Sequence, residues 1–292
     1  MPLDKVQAAK AADLVQFAYN MYNEGGLMPF ADPGLNMAGY KLLFWLTAED
    51  LQERAFYGYI AQSKTDVGAF VLVIRGTENV AEWLLDFSTL PVFFHADASV
   101  GSVALGFQSI QQTFLFLDGT GVQSSLADAI DRIQYQTPIT NLTILGHSLG
   151  GALATLTAAE LAVRNSVGIK SKINVTTYAS PRVGLLDFSD WFNHNIPSSS
   201  RIWNGLDIVP QTPTFPSIHV GESYELEQTA EQMAALSKTP ACEHNLSNYQ
   251  WLLDPQRYKL TPGCDATQDE DVSSAVRATG AQKLSLARLA GT

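Results

Sequence analysis

The chain has 292 residues, 46% of them apolar and 16% charged, which is enough for one large buried core and far from the composition of a disordered segment. Eighteen Lys plus Arg against 29 Asp plus Glu give a formal charge of −11, a field that repels phosphate backbones and anionic headgroups and so argues against a nucleic-acid partner. No run approaches the ~18 consecutive apolar residues that read as a membrane span.

The opening MPLDKVQAAKAADLVQF lacks the basic-then-apolar order of a secretory signal, so the chain is expected to be either cytoplasmic or a processed secreted form. Residues 4–23 read as an amphipathic helix, with Asp4 able to cap it and Leu14, Phe17, Ala18, Met21 and Tyr22 sharing one face. Strands are predicted over 54–62 and 67–75, the second apolar almost throughout, as for a strand covered on both faces. Helices follow over about 102–117 and 122–136, then a strand at 141–145, a helix at 149–164 and a strand at 172–178. Alternating elements with near-continuous apolar strands predict an α/β architecture with a mostly parallel sheet and helices on both faces. From Cys264 the composition turns polar, so residues 1–264 are expected to form the catalytic unit and 265–292 an extension with weak helical character. Cys242 and Cys264 are read either as a pair closing a loop or as two buried thiols.

The segment Leu142-Thr143-Ile144-Leu145-Gly146-His147-Ser148-Leu149-Gly150-Gly151 places G-x-S-x-G between an apolar strand and a run of helix formers. A nucleophilic serine on a sharp strand-to-helix turn needs glycines two residues to either side, because side chains there would collide across the turn. The helix that follows aims its N-terminal amides at the site and favours developing negative charge. These features point to Ser148 as the nucleophile of an α/β-hydrolase-type enzyme. His147, adjacent to it on the turn, points away from the hydroxyl.

A serine hydroxyl needs a base, and the chain has five histidines: His95, His147, His194, His219 and His244. In α/β hydrolases the order is Ser, then Asp or Glu, then His, which leaves the last three. His194 falls within a helical stretch and reads as a surface residue. His219 sits in an alternating segment, as a packed residue would. His244, at the entry to a helix containing Tyr249 and Trp251, can swing into a cleft and is favoured. Asp207 follows the strand Arg201-Ile202-Trp203, at the strand end where open α/β sheets gather their chemistry.

These motifs, together with Val73-Ile74-Arg75-Gly76-Thr77, Trp83 and Asp86, Gly106-Phe107, Tyr178-Ala179-Ser180-Pro181-Arg182-Val183-Gly184 and Asn204-Gly205-Leu206-Asp207-Ile208-Val209-Pro210, occur in the order found in the class 3 lipases. The chain resembles that family over about residues 40–255. The resemblance implies an α/β-hydrolase fold, the triad Ser148, Asp207 and His244, and an oxyanion hole built from Thr77 and the backbone N–H of Leu149. It also implies a lid over residues 78–87, whose Val80, Trp83, Leu84 and Phe87 form one apolar face. Two positions depart from the family pattern, Ala104 where His is common and Ala179 where Gly is usual. The expected reaction is hydrolysis of neutral acylglycerols at an oil–water interface, with no metal and no organic cofactor. Phospholipase A1, a feruloyl-type esterase and a non-catalytic lipase-like binding module are the alternatives.

Overall fold

The computed structural model describes residues 2–50, 53–77, 88–164 and 168–266. The expected lid residues Val80, Trp83, Leu84 and Phe87 and the extension from residue 267 onward therefore lie outside the described residues. Helix α1 (Lys5–Glu24) starts where expected, with the Asp4 carboxylate accepting from Gln7 N–H at 3.0 Å. Its buried face runs Ala8, Ala12, Val15, Ala18 and Met21, and the alanines let the helix lie close against the sheet. A short helix α2 (Pro33–Met37) leads into an eleven-residue strand that the sequence reading did not predict, β1 (Tyr40–Asp50). It pairs antiparallel with β2 (Glu53–Ser63).

The nine-stranded sheet continues through β3 (Ala69–Ile74), β8 (Asn141–His147), β9 (Ile173–Tyr178), β10 (Ser199–Trp203) and β11 (Glu222–Glu225) on one side of β2, and through β1, β6 (Leu115–Asp118) and β7 (Gln123–Ser124) on the other. Only β2 and β6 run against the rest, so seven of the nine strands share one direction and β3 through β11 form a parallel half. Strands β4 (Pro91–Phe93) and β5 (Ser102–Ala104) make a separate ribbon.

In β3, Phe70, Leu72 and Ile74 face one core cluster while Val71 and Val73 face the other, the strand period of two made visible. The first cluster is covered by α3 (Leu105–Gln111), α4 (Leu126–Gln136), α5 (Leu149–Arg164) and α6 (Leu186–Asn195). The second is covered by α1 and α9 (Leu246–Leu253). Two further short helices, α7 (Ala230–Ala235) and α8 (Pro240–His244), precede α9. Among the described residues no helix is long and apolar enough to cross a membrane.

The expected helix over 102–117 is corrected at both ends. Residues 102–104 join β4, and 115–118 leave the helix to pair with Phe44–Thr47 of β1, so the long-range ladder overrides a locally helical pattern. The helix expected from 122 begins at Leu126, capped by Ser125, because 123–124 pair with β6.

Candidate active site

Strand β8 delivers Ser148 into a turn that an L-residue seldom adopts, with φ +57°. Such a conformation costs on the order of 1–3 kcal/mol and persists only where the surroundings enforce it. Here Ser148 N–H donates to the Tyr178 carbonyl at 2.9 Å, and the Ser148 carbonyl accepts from Gly151 N–H at 2.9 Å. A Cβ on Gly146 would fall on the Gly150 carbonyl oxygen, and one on Gly150 would fall on the Ile74 and Arg75 carbonyl oxygens. Both are rigid backbone, which is why the motif needs glycine on either side of the serine. Ala179, where the family usually has glycine, also lies in the left-handed region, at φ +51°. The usual glycine thus answers a backbone demand that this chain meets with strain.

Asp207 follows β10 in a loop that Asn204 organises. Asn204 accepts from Asp207 N–H through its carbonyl at 3.0 Å and from Leu206 N–H through its side chain at 3.1 Å. The Asp207 carboxylate is fully buried: Oδ1 accepts from Val209 N–H at 3.0 Å, and Oδ2 accepts from His244 Nδ1 and from the Tyr249 hydroxyl, each at 2.8 Å. His244 closes α8 at its junction with α9, and its Nε2 lies 2.7 Å from Ser148 Oγ. A chain of hydrogen bonds therefore runs from the Ser148 hydroxyl through both nitrogens of His244 to Asp207. The segment bearing His244 is pinned by a Cys242–Cys264 disulfide with Cα atoms 5.4 Å apart, and by Asn248, whose amide donates to the Cys242 carbonyl at 2.8 Å. The cysteines, left open by the sequence, are paired.

None of the other histidines takes the place of His244 between Ser148 and Asp207. His194 is exposed in the last turn of α6. His219 Nε2 donates to the Pro210 carbonyl at 2.6 Å, and burial, then the nearby Arg201 cation, pushes its pKa down to about 3. His95 Nε2 contacts the Gln111 side chain at 2.7 Å. His147 is buried beside Ser148, where burial and then the neighbouring His244 hold it well below the ordinary histidine range.

This has a consequence for acid stability. His147 and His219 titrate lower in the folded chain than near 6.5, so below that pH the unfolded chain binds more protons and stability falls with pH. The contribution is fully present above about pH 6.5 and is lost as pH falls below it, for His219 down to about pH 3, at up to about 1.4 kcal/mol per pH unit for each group. His219→Gln, which keeps a donor for Pro210, should flatten the dependence of unfolding free energy on pH between 6 and 4. An unchanged slope in urea titrations across that range would contradict the assignment.

Thr77 is half-buried one residue beyond Gly76, and a Cβ on Gly76 would lie 2.8 Å from Ser148 Cβ, so the end of β3 abuts Ser148. Leu149, fully buried at the first position of α5, carries one of the N–H groups that helix geometry leaves without an intrahelical acceptor. Tyr249 stands in the motif that follows His244, but no local signal ties its hydroxyl to Asp207, and Tyr19 contacts His147 from 128 positions away.

Among the described residues no group of three or more His, Cys, Asp and Glu is placed to hold a metal ion. A sheet of this order with a serine at the β8–α5 elbow defines the α/β-hydrolase fold. The profile of the family described as lipase (class 3) matches residues 71–217, and the chain belongs to that family. It is 30% identical over 195 residues to a lipase of Rhizomucor miehei, covering 64% of this chain and 51% of that protein. It is also 30% identical over 226 residues to phospholipase A1-II 3 of Oryza sativa subsp. indica, covering 68% of this chain and 53% of that one. The crystal structure of a lipase from Rhizopus microsporus var. chinensis superposes with a TM-score of 0.62 at 21% identity, over 77% of this chain and 75% of that one. The chain spans about half the length of the curated relatives it matches.

Proposed function

We propose that this protein hydrolyses carboxyl esters of lipids, with neutral acylglycerols as the substrate class and Ser148 as the nucleophile. The observation that carries the reading is the hydrogen-bonded chain Ser148–His244–Asp207 at 2.7 and 2.8 Å, buried beneath the ends of parallel strands. As Ser148 Oγ attacks the ester carbonyl, His244 Nε2 takes the hydroxyl proton, and Asp207 holds the imidazole so that Nε2 faces the serine. The tetrahedral oxyanion is received by the Thr77 hydroxyl and the Leu149 N–H, helped by the positive end of α5. His244 then returns the proton to the departing alkoxide, leaving Ser148 acylated. Water attacks that ester by the same route, giving up its proton to His244 and releasing the fatty acid.

The charge of −11 supports a neutral substrate over an anionic one. The match to the rice phospholipase A1 favours a second reading, cleavage of a phospholipid acyl ester by the same serine. Action at an oil–water interface is part of the proposal and rests on the sequence pattern of residues 78–87.

A fluorophosphonate probe should label the protein at Ser148, located by peptide mass spectrometry. Release of fatty acid is then compared on a soluble short-chain ester, an emulsified triacylglycerol and a zwitterionic phospholipid. Faster release from the emulsion than from the phospholipid is expected. The reverse order would assign the phospholipase reading, and absence of both labelling and turnover would leave the binding-module alternative.

A further inference from the structure

The last two turns of α1 touch the site through two tyrosines three residues apart. The Tyr19 oxygen accepts from Gly76 N–H at 2.8 Å and lies 2.8 Å from His147 Nδ1. His147 Nε2 lies 2.9 Å from the His244 carbonyl, which can only accept, so Nε2 carries the proton and Nδ1 accepts from the Tyr19 hydroxyl. On the other side of the same residue, the Arg75 guanidinium donates to the Gly76 carbonyl at 2.7 Å. That guanidinium is held over the Tyr22 ring at 3.5 Å from its centroid and bonded to the Phe56 carbonyl at 2.8 Å. Both backbone groups of Gly76 are thus fixed, one by Tyr19 directly and one by Arg75 packed on Tyr22. The next residue is Thr77. The fit around Gly76 is close, since a Cβ there would come within 2.6 Å of the Tyr19 hydroxyl.

We infer that the C-terminal end of α1 is a positioning element of the oxyanion hole, with Tyr19 as its principal residue: it fixes Gly76, and through it Thr77, relative to Ser148 and to the His244 backbone. This rests on the proposed role of Thr77. An oxyanion donor works only when aimed at where charge develops, so a slack Gly76 lowers turnover without weakening substrate binding. Neither Tyr19 nor Tyr22 lies in the stretch that matches the family profile, which begins at residue 71.

The test is a double-mutant cycle of Tyr19→Phe and Thr77→Val on a soluble short-chain ester, with turnover expressed per Ser148 titrated by the fluorophosphonate so that misfolded protein does not count. Tyr19→Phe keeps the ring and should lower kcat about tenfold with KM within about twofold, while Thr77→Val should lose roughly a hundredfold. In the Thr77→Val background, Tyr19→Phe should cost less than about threefold, because the group it positions is already gone. A tenfold loss from Tyr19→Phe that persists in full alongside Thr77→Val would overturn the inference, as would a Tyr19→Phe protein with parental kcat or one altered only in KM. A Thr77→Val protein as active as the parent would instead remove Thr77 from the oxyanion hole, and the inference with it.

Discussion

Ser148→Ala should reduce turnover of a soluble ester by at least about a thousandfold, and His244→Ala should do so to a similar extent, with melting temperatures close to the parent's. The reason lies in the order of the chain. In the proposed mechanism the serine hydroxyl is a weak nucleophile until His244 Nε2, at 2.7 Å, takes its proton, and His244 has nothing to activate once Oγ is gone. Loss of either member therefore removes the same capability, and the double variant should be little worse than the single ones. Asp207→Asn should cost up to about ten-thousandfold, because an amide that donates toward Nδ1 would favour the tautomer with its proton on the wrong nitrogen. Tyr249, which donates to the same carboxylate oxygen, would remain in place and makes a collapsed loop an improbable source of that loss. The decisive comparison is with His219→Ala. Its ring is turned to the Pro210 carbonyl, so that variant should keep most activity. An inactive His219→Ala beside an active His244→Ala would reverse the identity of the base.

Gly146→Ala and Gly150→Ala should be the most destabilising conservative changes in the elbow. The added methyl meets the Gly150 carbonyl in one case and the Ile74 and Arg75 carbonyls in the other, and these belong to the parallel β3–β8 pair and to the start of α5. No flexible side chain is available to yield, so the β3–β8 spacing or the Ser148 turn has to shift. A loss of at least about 3 kcal/mol is expected, the size reached when a close-packed interior is overfilled against rigid neighbours. In calorimetry that corresponds to a fall in melting temperature of roughly 6–10 °C. Gly119→Ala is the matched control: nothing lies within 4 Å of its added methyl, and its melting temperature should stay near the parent's. Equal behaviour of Gly146→Ala and Gly119→Ala would show that the turn has room the contacts deny.

Much of this site could be read in the sequence because its demands are local. Gly146 answers a clash with the Gly150 carbonyl four residues on, and Asp207 sits just past the strand that ends in Ile202 and Trp203, whereas Gly150 also answers the more distant Ile74 and Arg75 carbonyls. The choice between His244 and His219 was also legible, since an alternating segment signals a packed residue and a helix entry a free one. Strand β1 was not. Gly39 stands directly before it, but its run Leu42-Leu43-Phe44-Trp45-Leu46 has no strict alternation, and its identity comes from pairing with β2 and β6. The same pairing turned residues 115–118 from expected helix into strand. Tyr19 was hidden for a related reason. It occupies an ordinary position on an amphipathic helix, and only the packing of α1 against the ends of β3 and β8 brings its hydroxyl to Gly76 and His147.

The triad's three members are not anchored alike. Ser148 and Asp207 ride on the ends of β8 and β10, which are separated only by β9, so their spacing is dictated by the sheet itself. His244 hangs instead from two short helices held by the Cys242–Cys264 bond, the Asn248 amide and the His147 ring. In evolutionary terms this divides the site into a conservative chassis and an adjustable arm. The stretch between β11 and α8 is expected to tolerate gained or lost residues, provided that Gln228 still reaches Asn204, the two cysteines still meet and the imidazole still arrives between Ser148 and Asp207. Divergence in this lineage would then be heard first in the length of that connection, while the strands beneath it keep their measure.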